Sequence, residues 1–139
     1  MTQEDKLNYS TVLLENAHQC LKTAKSNVEI SDYKAAANRS YYAIFHTMRA
    51  VLILDDVPER SKHSGIIALF QQRYLKTDIL DRCLSRTITD AFEVRNEADY
   101  DVSYILSKED VLGQIQRAEA FITEVEAYLK TRNVQIPDI

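Results

Sequence analysis

Three observations predict an all-α fold, an up-and-down helical bundle of four long helices plus one short helix. Apolar residues recur at steps of three and four through most of the chain. The 139 residues include only two glycines and two prolines. The connections between the periodic stretches are short, as helices that pack beside their sequence neighbours require.

The first helix is expected over roughly residues 4 to 29, because Leu13, Ala17, Cys20, Ala24 and Val28 fall on one face. Ser31 and Asp32 offer an N-cap for a second, Tyr33 to Leu54, which is free of Gly and Pro. Its stripe of Ala37, Tyr41, Ile44, Met48 and Val51 is widened by Tyr42, Phe45 and Leu52, so this helix should be packed on several sides. Asp55, Asp56, Val57 and Pro58 end it. A shorter helix follows from Ser64 to Tyr74, interrupted at Lys76-Thr77-Asp78. Asp78 or Asp81 can cap the fourth, whose face carries Leu80, Leu84, Ile88, Ala91, Arg95 and Ala98. After a connection from Tyr100 to Leu106, Ser107 with Asp110 resembles a capping box for the fifth. There Val111, Ile115, Ala118, Ile122, Val125 and Leu129 make a bundle seam, with Lys108, Gln114, Arg117, Glu119 and Glu126 assigned to the other faces. Residues 1–130 are expected to form one helical domain and 131–139 a short C-terminal tail.

Composition excludes several functions. Gly65, Gly113, Pro58 and Pro137 cannot supply the turns of a sandwich or barrel. The two glycines are too far apart to make a dinucleotide fingerprint or a Walker loop. A formal charge of −4, from 17 basic and 21 acidic residues, gives no overall nucleic-acid surface and leaves only a local basic cleft. Cys20 and Cys83 lack CxxC spacing, which points to neither a metal site nor a disulfide scaffold and fits a reducing cytoplasm. The N-terminal residues carry no signal-peptide pattern, and no apolar run is long enough to span a membrane.

Few residues offer chemistry. Glu15 and His18 form one Glu-x-x-His pair, but a di-iron carboxylate site needs two, so no metal or other cofactor is expected and both residues are assigned to a solvated helix edge. His18 and Cys20, two apart on a helix, point in different directions, and no Gly-x-Ser-x-Gly elbow exists. Arg95 is more informative: it sits on an apolar stripe and must find a carboxylate, either in an intrahelical pair with Asp99 or at a cleft. On the second helix Arg39, Tyr42, Ala43, His46 and Ala50 share a face that either lines a polar groove or holds a snorkelling Arg39 and a satisfied core His46. Lys62, His63, Ser64 and Gly65 open the short helix, where N–H groups and two basic side chains could hold an anion.

The run Ala35-Ala36-Ala37-Asn38-Arg39-Ser40-Tyr41-Tyr42-Ala43-Ile44-Phe45-His46, then Lys62-His63-Ser64-Gly65, then Arg95-Asn96-Glu97-Ala98-Asp99-Tyr100-Asp101, together resemble a small prokaryotic HEPN-domain protein. The resemblance extends from about residue 8 to about residue 130 and adds to the periodic pattern. It implies a helical bundle, commonly a homodimer, often paired with a minimal nucleotidyltransferase in toxin–antitoxin modules. Active members are metal-independent ribonucleases whose motif is an arginine, a polar residue, a histidine a few positions on, and a tyrosine just beyond. Arg95 and Asn96 match its start, but no histidine follows Arg95, and Asp99-Tyr100 stands in that place.

That departure has a chemical consequence. Cleaving RNA without a metal requires a group that gains and loses a proton near neutral pH, and histidine suits this as a carboxylate does not. The favoured expectation is therefore a binding or regulatory protein acting with a nucleotidyltransferase, recognising nucleotide or RNA through Arg39, Tyr42, His46, Lys62, His63, Arg95, Asn96 and Asp99. A ribonuclease toxin in which His46 or His63 approaches Arg95 is the alternative, and a structural helical adaptor is a third. In some family pairs the partner enzyme adds AMP to the motif tyrosine, for which Tyr100, with Tyr104 after it, is the nearest counterpart.

Overall fold

The computed structural model describes residues 1–57 and 62–139. It is all-helical: α1 spans Gln3–Glu29, α2 Tyr33–Leu52, α3 His63–Phe70, α4 Leu84–Tyr100 and α5 Lys108–Thr131, with no strand among the described residues. The expected helix faces pack as a bundle should. On α1 the five seam residues from Leu13 to Val28 are buried, and on α5 so are all six from Val111 to Leu129.

Cross-helix pairs fix the directions. Along α1 and α5, His18 meets Glu126 and Lys25 meets Glu119, and Thr11 meets Gln135 just beyond α5, so these helices run antiparallel. Ser10 Oγ donates to Ala50 O near the far end of α2, which makes α1 and α2 an antiparallel hairpin. Between α2 and α4, Lys34 reaches Asp101 O while Tyr42 meets Arg95, again antiparallel. The long helices therefore alternate up and down, and α2 packs against α1, α3, α4 and α5.

Local chemistry accounts for the ends. Thr2 and Asp5 close a reciprocal capping box on α1, the kind of cap whose loss costs about 1 kcal/mol. Ser31 and Asp32 divide their labour: Ser31 takes a left-handed φ of 62° that ends α1, and the Asp32 carboxylate accepts from Ala35 N–H to start α2. Ser107 Oγ accepts from Asp110 N–H at the start of α5. No glycine has a positive φ; Ser31, Asp56, Asp78 and Asn133 take those positions among the described residues.

Several expectations need correction. Helix α2 stops at Leu52 and tightens into a 3-10 turn over Ile53–Asp55. Pro58, expected to help end it, lies outside the described residues. The short helix starts at His63 and widens after Phe70 into a π-turn over Gln71–Leu75, which lets Phe70, Tyr74 and Leu75 all face the core. Neither Asp78 nor Asp81 caps α4: Asp78 adopts a left-handed φ of 60°, and Asp81 accepts from Cys83 N–H in a turn before Leu84. Leu80 is buried but precedes the helix. Gln114 does not face solvent; its Nε2 donates to Ala37 O and Ser40 Oγ at 3.1 and 2.7 Å in the α2–α5 contact. His18 is no solvated edge residue, since its Nε2 lies 2.8 Å from Glu126 across α1 and α5. The final segment is tied to α1 where Thr11 Oγ1 donates to Gln135 O, and its Val134 is buried.

A candidate cationic and aromatic site

Where α2, α3 and α4 meet, one helical turn of α2 supplies adjacent tyrosines that point about 100° apart. Tyr41 is fully buried and Tyr42 half-buried. Arg95, reaching over from α4, lies with its guanidinium carbon 5.3 Å from the Tyr41 ring centre and 5.5 Å from that of Tyr42. Its Nη2 donates to the Tyr42 hydroxyl at 3.3 Å. The anticipated pair with Asp99 is present, Nε to Oδ2 at 3.3 Å, but misaligned, so Nε is buried without a hydrogen-bond acceptor. The aromatic faces thus partly offset the cost of desolvating this cation.

His63 opens α3 and stacks on Phe45 with ring centres 4.0 Å apart. Its Nδ1 lies 3.0 Å from the Tyr41 hydroxyl. Burial pushes the Tyr41 phenol up to about 12, with Arg95 opposing, so the phenol keeps its proton at neutral pH. Burial, then Arg95 and Arg49, push His63 below its ordinary value and favour the neutral ring. Donation from Tyr41 to Nδ1 satisfies both groups, and it leaves the histidine with its hydrogen on Nε2.

On the same face of α2, Arg39 lies 4.9 Å from the Tyr42 ring centre and donates through Nε and Nη2 to Asn38 Oδ1 at 3.3 and 2.9 Å. His46 is not a satisfied core histidine: its Nδ1 is buried without a partner. Burial first, then Arg49, Arg39 and His63, push it down to about 4. The ring is neutral under ordinary conditions, and ring centres 6.1 Å apart bring it beside Tyr42.

The candidates named from sequence therefore divide. Arg95, Tyr42, His63, His46 and Arg39 share this patch. Asp99 stands at its margin and also lines a cavity of about 400 Å³ with Asn38, Arg39 and Lys34. Asn96 is half-buried on α4, while Lys62 is exposed at the α3 N-cap without a side-chain cap bond. Tyr100, 82% exposed, ends α4, and Tyr104 is half-buried in the following loop. Sequence reasoning missed Tyr41, Phe45 and Arg49. Tyr41 carried a usable signal, because a tyrosine on a core stripe must place its hydroxyl against a partner. Among the described residues no cluster of His, Cys, Asp and Glu is suited to a metal ion. No described helix is long and apolar enough to cross a membrane.

The fold and patch define a class of protein: an antiparallel helical bundle carrying an arginine, two tyrosines and a histidine between its second, third and fourth helices. The HEPN domain model matches residues 10–128, and the chain belongs to the HEPN family. A Methanocaldococcus jannaschii protein named "Putative toxin" is 29% identical over 122 residues, covering 88% of this chain and 82% of its own. A "UPF0332 protein" of Thermotoga maritima is 32% identical over 114 residues, covering 82% and 86%. A second M. jannaschii "Putative toxin" is 31% identical over 118 residues, covering 85% and 87%.

Proposed function

We propose that this protein is the binding and regulatory member of a toxin–antitoxin-type pair, acting with a nucleotidyltransferase and holding a nucleotide or RNA against the α2–α3–α4 patch. The observation that carries the binding mode is the Tyr41–His63 hydrogen bond. It makes His63 a donor through Nε2–H, so the patch offers donors and ring faces: two guanidiniums, an imidazole N–H and the Tyr42 ring. Donors and aromatic planes recognise phosphates and bases. Neither His63 Nδ1, which is occupied by Tyr41, nor the buried His46 Nδ1 is placed to take a proton from a 2′-hydroxyl. The toxin names of two relatives support the pairing, and the exposure of Tyr100 suits a residue open to AMP addition. The protein acts as a homodimer in this proposal, in the cytoplasm and without a cofactor, its domain spanning residues 1–130.

A ribonuclease toxin is the second reading, favoured by one observation: Tyr41 links Arg95, 5.3 Å from its ring centre, to His63, 3.0 Å from its hydroxyl. Anisotropy of a labelled single-stranded RNA and of AMP at low salt separates the two. Binding that Arg95→Ala and Arg39→Ala weaken, with intact RNA and unchanged host growth for wild type, Arg95→Ala, His46→Ala and His63→Ala, supports the binding reading. RNA cleavage or growth arrest abolished by His63→Ala overturns it. Absence of ligand binding, of co-purification with a nucleotidyltransferase, of RNA cleavage and of growth arrest together overturns both and leaves the structural adaptor.

A further inference from the structure

On the other side of α4, a groove of about 650 Å³ runs between α4 and α5. Its walls carry four carboxylates, Asp90, Glu93, Glu109 and Asp110, against one guanidinium, Arg117, and the 41%-exposed Leu112 adds an apolar edge. Asp90 is held only at 3.7 Å by exposed Arg86. The loop that feeds Tyr104 and Leu106 into the groove wall also presents Val102 and Ile105, 97% and 89% exposed, beside Tyr100. Isolated exposed apolar residues are ordinary, but three within six positions bordering an acidic groove form a patch.

The geometry points to a docking site for a basic amphipathic segment of a partner protein, its Lys or Arg side chains against the four carboxylates and its apolar side against Val102, Ile105 and Leu112. Charge complementarity selects this occupant. A second copy of the chain carries 21 acidic against 17 basic residues, with Arg39 and Arg95 on its ring-lined patch, so it matches this groove less well than a lysine-rich segment does. A metal ion is disfavoured because these carboxylates do not converge into a metal-binding group. From Asp90 to Tyr100 α4 rises about 15 Å, room for about three turns of a partner helix. This surface goes beyond the proposed function: it includes none of Arg39, Tyr42, His46, His63 or Arg95 and meets that reading only at the exposed Tyr100.

Anisotropy of a labelled Leu/Lys amphipathic peptide of about fourteen residues tests it. Wild type should bind this peptide and not its Leu/Glu counterpart. Glu93→Lys/Asp110→Lys, and separately Val102→Ser/Ile105→Ser, should each weaken binding at least about tenfold, while Glu15→Lys/Glu29→Lys, with the same charge change as the groove pair, alters it less than about twofold. The loop variant lies on exposed positions and keeps the test decisive if the groove variant fails to fold. The uncharged loop variant should leave RNA binding unchanged, and the two charge-reversal pairs should alter it equally, which separates failure here from failure of the proposed function. Equal weakening by the control pair, displacement by spermine at matched charge, or loss of dimers in light scattering of the groove variant would each overturn the inference.

Discussion

The phenol of Tyr41 and the imidazole of His63 are 3.0 Å apart, and their bond sets which ring nitrogen of the histidine carries the hydrogen. Tyr41→Phe keeps the buried ring and removes only the donor. Stability should fall by about 1 kcal/mol, the ordinary cost of a lost buried hydrogen bond. Long-range proton–nitrogen NMR should show His63 as the Nε2–H tautomer in wild type and as a mixture in the variant. A mixture already present in wild type would remove the basis for treating His63 as a fixed donor.

His46 makes acid stability directional. Its folded value of about 4 lies below the ordinary 6.5, so its contribution is complete above about pH 6.5 and is lost as pH falls towards 4. Urea unfolding should report a decline of order 1–2 kcal/mol across that window, discounted because water reaches part of the ring. His46→Phe should flatten this limb without abolishing it, since His63 is shifted the same way. A slope unchanged in His46→Phe would place the acid sensitivity elsewhere.

Gln114 is the polar tie between α5 and α2. Gln114→Ala should cost about 2–3 kcal/mol, combining a cavity with the loss of two donors' worth of bonding to Ala37 and Ser40. Gln114→Met retains volume and should cost about 1 kcal/mol. Chemical denaturation of the pair separates packing from hydrogen bonding. A loss below about 0.5 kcal/mol for the alanine variant would contradict the buried role.

Glycine placement gives two stabilising substitutions. Ser31→Gly relieves a left-handed residue that ends α1 and should gain about 0.5–1 kcal/mol. Gly113→Ala should gain a similar amount, about 0.5–1 kcal/mol, through helix propensity. The new methyl meets only the flexible end of Arg117, at 3.1 Å. Thermal melts should show both shifts adding in the double variant, because the sites share no partner.

How far the molecule was legible depended on how local its determinants are. The α1 and α5 seams could be read residue by residue because helix period is a property of neighbours. Gln114 escaped because α5 packs against more than one helix: Val111, Gln114, Ala118, Phe121 and Val125 form a second buried seam beside the first. Its position seven before Phe121 was the available clue. The start of α4 escaped because Leu80 continues the spacing while its backbone bonds to Tyr74 instead of a helix. At the candidate site, single residues such as Arg95 and His63 stood out as charges or polar groups among apolar ones. Their relation did not, because Tyr41 mediates it from within the core stripe, and cross-helix pairing leaves no period in the sequence.

The bundle also imposes a timetable. The α1–α2 hairpin is complete in the first 52 residues and its cross-helix Ser10–Ala50 bond needs nothing downstream. Tyr41, Tyr42 and His46 therefore leave the ribosome on the α1–α2 segment before Arg95 and Gln114 are made. Every nascent or prematurely terminated chain shorter than 95 residues carries the Arg39–Tyr42 pair without Arg95. The patch acquires its charge pattern only once α4 is synthesised, so an unfinished product cannot present the same surface to a ligand.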